Sequence, residues 1–198
     1  MSRIENPIFP ISQTPDACVT ACLKATMYGL EMNYEELVKD LSKFKVYPQL
    51  ENSEYYSPEG IMKVLSERGL YVGLHVGTKE PYQNNLIDVA TLQEYNSGVF
   101  SYDTFVDYVT GHLEQKRYLF VWLDNQKYSP EGYKKNGYKQ HVVVIYGVDG
   151  QQASIMDPDI YLEEEEKTRS YDLSHLFSAL WRDTARPKAI EKIMVIGK

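Results

Sequence analysis

Cysteine is scarce in this 198-residue chain: there are two, Cys18 and Cys22. They stand four residues apart in a stretch that reads as helix, where one rigid element holds both side chains and disfavours a disulfide between them. Two thiols without a disulfide framework point to a reducing compartment. Long apolar runs are missing as well, so no segment approaches the length that crosses a bilayer. The opening residues, MSRIENPIFPISQ, hold no apolar stretch followed by a small-residue cleavage site, and no secretory signal is visible. Positive charge is in deficit, with 21 Lys and Arg against 28 Asp and Glu and a net charge of −7. That balance argues against nucleic acid or an anionic membrane as partner. Two cysteines four apart with no paired histidine spacing do not make a zinc site, and nothing implies another metal or a cofactor. A soluble cytoplasmic protein is expected.

What is present suits one domain. Hydrophobic residues make up 43 % and charged residues 25 %, and a chain of this length builds a core without disulfides or structural metals. Thr14-Pro15-Asp16 predicts a helix start, with a capping hydroxyl, a proline suited to the first position and an acid that complements the dipole. That helix runs to Gly29. Asn33 with Glu36 predicts a second helix and Ser57-Pro58-Glu59 a third, ending at Gly69. Tyr71 to Val76 reads as a strand. A short helix is expected around Leu86 to Tyr95, and a longer one from Ser101 through Leu113. Tyr118 to Leu123 is a buried strand, and 125–140 a polar loop expected to border a cleft. His141 to Val148 and Gln152 to Met156 form a hairpin, Glu163 to Glu166 a solvated loop, Leu173 to Trp181 a helix, and Ala189 to Ile196 a last strand. Helices first and strands later predict an α+β fold, a helical layer on an antiparallel sheet. The helical lobe should span about 13–115 and the sheet lobe about 116–198 of a single domain.

The chemistry-bearing residues can be picked out by position. A thiol serves as nucleophile when it is partly ionised and near a base. Cys18 lies in the first turn of its helix, where unpaired N–H groups carry partial positive charge; Cys22, one turn deeper, reads as a small core residue. His141 enters an apolar strand from a polar loop. A three-residue turn at Val148-Asp149-Gly150 would set His141 directly opposite Asp157 on one sheet face, giving a base and its orienter. His75, His112 and His175 lack such a carboxylate and read as surface or satisfied side chains. Gln13, just before the helix, can donate to an oxyanion beside the Cys18 N–H.

These residues resemble a known family. The element Gln13-Thr-Pro-Asp-Ala-Cys18-Val-Thr-Ala-Cys22-Leu, then His141-Val-Val-Val-Ile-Tyr-Gly-Val-Asp-Gly, then Asp157-Pro158 is similar to the motifs of the bacteriocin-processing double-glycine leader peptidases. The helix Ser57 to Leu70 and the tail Ser170-Tyr-Asp-Leu with Phe177 and Trp181 fit the same pattern. Val19 stands where the family usually has glycine, and Ala17 separates Asp16 from Cys18. The resemblance implies a papain-like cysteine peptidase fold, with a cleft between a lobe carrying Cys18 and a lobe carrying His141 and Asp157. The activity expected is peptide or amide hydrolysis through a thioester, on a peptide or small acyl substrate. Acyl transfer to an amine uses the same groups, and a binding protein that has lost activity is a third alternative.

Overall fold

β4 (Tyr118–Asp124) and β5 (Gln140–Asp149) are apolar on both faces, and such strands require cover on each side. The computed structural model describes residues 3–13, 17–47, 54–77, 88, 91–130, 134, 137, 139–159, 162–163, 167–180 and 192–198. In it β4 and β5 join β1 (Ile4–Glu5), β2 (Tyr71–Val76), β3 (Glu94–Ser97), β6 (Gln152–Met156), β7 (Thr168–Asp172) and β8 (Lys192–Gly197) in one eight-stranded sheet. The order is β3-β2-β8-β4-β5-β6-β7, with β1 also paired to β5. Neighbours run antiparallel except β2 and β3, which are parallel.

The two faces hold separate cores. On one, α1 (Cys18–Gly29), α2 (Tyr34–Leu41) and α3 (Pro58–Glu67) bring Leu23, Leu37 and Ile61 onto Phe120, Val144 and Met194. On the other, α4 (Tyr102–Glu114), α5 (Asn125–Tyr128) and α6 (Leu173–Ala179) bring Phe105 and Leu176 onto Val121, Val143 and Ile193. The α+β class is as expected. β2 and β3 precede residue 115 and lie in the sheet, and α4 packs on the face away from α1. The sheet is a shared wall between two helical layers, and the chain crosses it more than once.

Local signals account for the helices. Asn33 caps α2 by accepting from the Glu35 N–H at 3.0 Å, and Ser57 caps α3 by accepting from Gly60 at 3.1 Å with Pro58 in the first position. Ser101 and Thr104 form a reciprocal capping box at the start of α4. The expected start of α1 at Thr14-Pro15-Asp16 lies outside the described residues; among those described, Ala17 holds the cap position. Of the helix expected over 86–95, Glu94 and Tyr95 belong instead to β3, and 86–87 and 89–90 lie outside the described residues. Most of the expected loop 163–166, and Trp181 and Ala189, also lie outside them. α5 opens the stretch read as a polar loop and buries Asn125 and Tyr128.

Candidate active site

α1 and the β5–β6 hairpin meet at one end of the sheet. Cys18 is the first residue of α1 and is partly exposed. Cys22 is fully buried, its thiol donating to the Val142 carbonyl at 3.5 Å. Burial pushes the Cys22 thiol well above its ordinary value, with the charges of Cys18 and Asp157 adding to it. The two cysteines therefore differ: Cys18 is partly exposed at a helix start and Cys22 is packed in the core.

His141 stands second in β5 and is 2 % exposed. Its Nε2 lies 2.7 Å from Asp157 Oδ1, and the Cys18 side chain acts electrostatically on the same ring. Burial pulls the imidazole toward its neutral form. The Asp157 charge and hydrogen bond, then Cys18, more than offset this and raise it from 6.5 to about 10. Asp157 answers in the opposite sense. Burial pushes its carboxyl up, but His141, the Asp159 N–H and the Tyr128 hydroxyl together bring it below the usual 3.8. The structure thus gathers Cys18, His141 and Asp157. Gln13, 5 % exposed, joins them through its backbone, its N–H donating to the Pro158 carbonyl at 2.8 Å. Its side-chain Oε1 is buried with no hydrogen-bond partner among the described residues.

The hairpin reaches this arrangement by a route different from the expected one. The turn has two residues, Gly150 and Gln151, because Asp149 pairs with Gln152. Gly150 has φ 59° and Gln151 does not share the positive sign, the pattern of a II′ turn. That register continued unchanged would place His141 and Asp157 on opposite faces. It does not continue: Gly147 pairs with Ser154 but Ile145 pairs with Ile155, so Tyr146 is an extra residue, a β-bulge. Ile145 and Val148 consequently face the same core. Past the bulge Val144 pairs with Met156. One further step sets Asp157 across from Val143, diagonal to His141 on the same face, within reach of long side chains. The three-residue turn and the direct His141–Asp157 opposition are corrected; the shared face stands.

Tyr128 was legible only as one of several tyrosines in a loop. Its hydroxyl donates to Asp157 Oδ2 at 2.8 Å. The available signal was Asp124, which caps α5 by accepting from the Gln126 N–H at 3.0 Å and so places an aromatic residue one turn on. Tyr133 and Tyr138 lie outside the described residues. Of the other histidines, His75 and His112 depart from the expectation and His175 fits it. His75 is buried, stacks on Phe100 with centroids 3.7 Å apart, and is held neutral by burial, at about 4; its Nε2 has no hydrogen-bond partner among the described residues. His112 is buried with Nε2 3.5 Å from Glu94. His175 bonds the Tyr128 carbonyl at 3.1 Å. Among the described residues no cluster of His, Cys, Asp or Glu is arranged to hold a metal ion, and no helix is long and apolar enough to cross a membrane.

No protein-family model matches the chain, and no curated protein matches it in sequence. Solved structures do match. One is the peptidase domain of Streptococcus ComA, a bifunctional ABC transporter involved in a quorum-sensing pathway. It aligns with 97 % of this chain and 98 % of its own, at a TM-score of 0.51 and 16 % identity. Another is a C39-like peptidase candidate from Bacillus anthracis, aligned over 100 % and 99 %, at 0.53 and 12 % identity. The chain has the papain-like fold of these C39 peptidase structures.

Proposed function

We propose that this chain is a cysteine-dependent peptidase or amide hydrolase working as a single papain-like domain. The observation that carries the reading is the buried His141–Asp157 pair at 2.7 Å, together with Cys18 at the start of α1, which acts electrostatically on the same imidazole. With the proton already held on His141, the Cys18 sulfur attacks the substrate carbonyl. The Cys18 N–H, at a helix start with no intrahelical acceptor, and the Gln13 amide receive the oxyanion. His141 then protonates the leaving amine, and water releases the acyl group from the thioester. Asp157 holds the imidazole in one tautomer and stabilises its cation. A peptide is the favoured substrate, because the structures of the same shape are peptidase domains.

Intact-mass spectrometry after incubation with peptide amides and esters tests this. A transient acyl adduct that maps to Cys18, is absent in Cys18→Ala and decays to free acid is the expected result. Decay only in the presence of an added amine would assign acyl transfer instead. No adduct with any donor, while Cys18 still reacts with iodoacetamide, would leave the fold without this activity.

A further inference from the structure

We propose that Tyr128 is a positioning residue for the Cys18–His141–Asp157 group, fixing the plane of the Asp157 carboxylate through its hydroxyl. The proposal rests on the reading of these three residues as the reacting group. Asp157 Oδ1 already accepts from His141 Nε2 at 2.7 Å and from the Asp159 N–H at 3.0 Å. Oδ2 accepts from Tyr128 at 2.8 Å, its one donor among the described residues. A carboxylate held by one oxygen turns about its Cβ–Cγ bond; held by both, it presents one fixed lone pair to the imidazole. The Tyr128 ring also lies alongside that of His141, with centroids 6.2 Å apart and planes 28° apart. It therefore covers the His–Asp bond while it binds the acid.

The surroundings of Tyr128 keep it in place. A four-residue helix cannot hold itself, and α5 is tied at both ends. Asp124 caps its start. At its end the Tyr128 carbonyl accepts from His175 Nε2 at 3.1 Å, and the Tyr128 ring packs on Tyr171 with centroids 5.2 Å apart. Burial and the Asp157 charge push the phenol well above its ordinary value, so it is a donor throughout the working range. The titratable or charged groups facing this cluster are Cys18 and Cys22 from α1, Arg169 and Tyr171 from β7, His175 from α6, and Asp159. Among the described residues none of these donates a side-chain hydroxyl to the carboxylate, as Tyr128 does.

The test is Tyr128→Phe, which keeps the ring and removes the donor. Long-range nitrogen NMR of histidine-labelled protein reads His141 directly, whatever the substrate. The expected result is that the His141 ring loses its proton about one pH unit lower than in the wild type, since a buried carboxylate missing a donor holds a cation less well. Brief iodoacetamide labelling should still modify Cys18 and spare Cys22, so that a change at His141 is not a collapse of the site. An unchanged His141 titration in a variant with a native spectrum would reduce Tyr128 to packing and overturn the proposal. Should Tyr128→Phe fail to fold, the wild type decides. A slowly exchanging Tyr128 hydroxyl proton that disappears in Asp157→Ala supports the role, and its absence from the wild type refutes it. Failure of Cys18 to form an acyl adduct would overturn the hydrolase reading but leave the His141 titration able to judge Tyr128.

Discussion

The Asp157 carboxylate carries the residue-scale argument, because its charge is what lets a buried imidazole stay protonated. His141 sits at about 10 in the folded chain against 6.5 when exposed. Its raised value contributes stability that is complete below about 6.5 and lost as pH rises through 10. Asp157 is lowered from 3.8, so its contribution is present above 3.8 and lost as pH falls through its folded value. Both contributions are at full strength between these limits, from about 4 to about 6.5. Asp157→Asn should therefore drop the His141 titration sharply, read by NMR, and slow Cys18 acylation by at least about a hundredfold. An unmoved titration would show that another group holds the proton. The cysteines give a second test. Brief iodoacetamide labelling followed by peptide mapping should modify Cys18 and spare Cys22, whose thiol is buried and held protonated. Cys22→Ala should retain acylation and lose about 1 kcal/mol of stability through its small cavity; Cys18→Ala should lose acylation entirely.

At the scale of elements, legibility followed the strength of local chemistry. α2, α3 and α4 were readable because Asn33, Ser57 and Ser101 supply side-chain caps that the structure uses. β2 and β6 were readable to the residue from their apolar runs and bounding turn signals. β1 has two residues and takes its identity from pairing with Val148 and Gly147, which no local pattern announces. β7, TRSYD, is an edge strand without a fully buried residue, so neither burial nor alternation marks it. Cys18, His141 and Asp157 were legible as candidates because each sits at an element boundary. The register joining them was not, since a bulge depends on what lies across the strand. Here β1 lies across it: a Cβ at Gly147 would come within 2.8 Å of the Ile4 carbonyl and 3.2 Å of the Glu5 Cα. Gly147→Ala should cost about 1–3 kcal/mol in chemical denaturation and detach β1, seen as faster amide exchange at Asn6, whose N–H donates to Tyr146 at 2.8 Å. Gly150→Val forces a β-branched residue to φ 59° and should cost about 1–3 kcal/mol while leaving Cys18 labelling selective. Wild-type stability in both variants would mean that the hairpin is held from elsewhere.

Over the whole molecule, the N-terminal segment joins parts of the chain that are distant in sequence. Asn6 bonds Tyr146 and Arg117, the Pro7 carbonyl accepts from the Tyr118 hydroxyl at 2.5 Å, and Gln13 bonds Pro158. It thus runs from the bulge to the residue after Asp157 before entering α1. Deleting residues 1–12 should lower the melting temperature and slow Cys18 labelling together, because the same segment supports both; a melting change with normal labelling would separate the two. The bulge has a consequence of another kind. His141 and Asp157 are sixteen positions apart, and one of the intervening residues, Tyr146, has no partner in the ladder. A chain lacking that residue would keep Ile145 opposite Ile155 and hold the same two side chains on the same face with a spacing one shorter. A chain with a three-residue turn and the bulge would do so with a spacing one longer. Chains that share this site need not share its residue count, and a search pattern that demands a single interval between histidine and aspartate will pass over some of them.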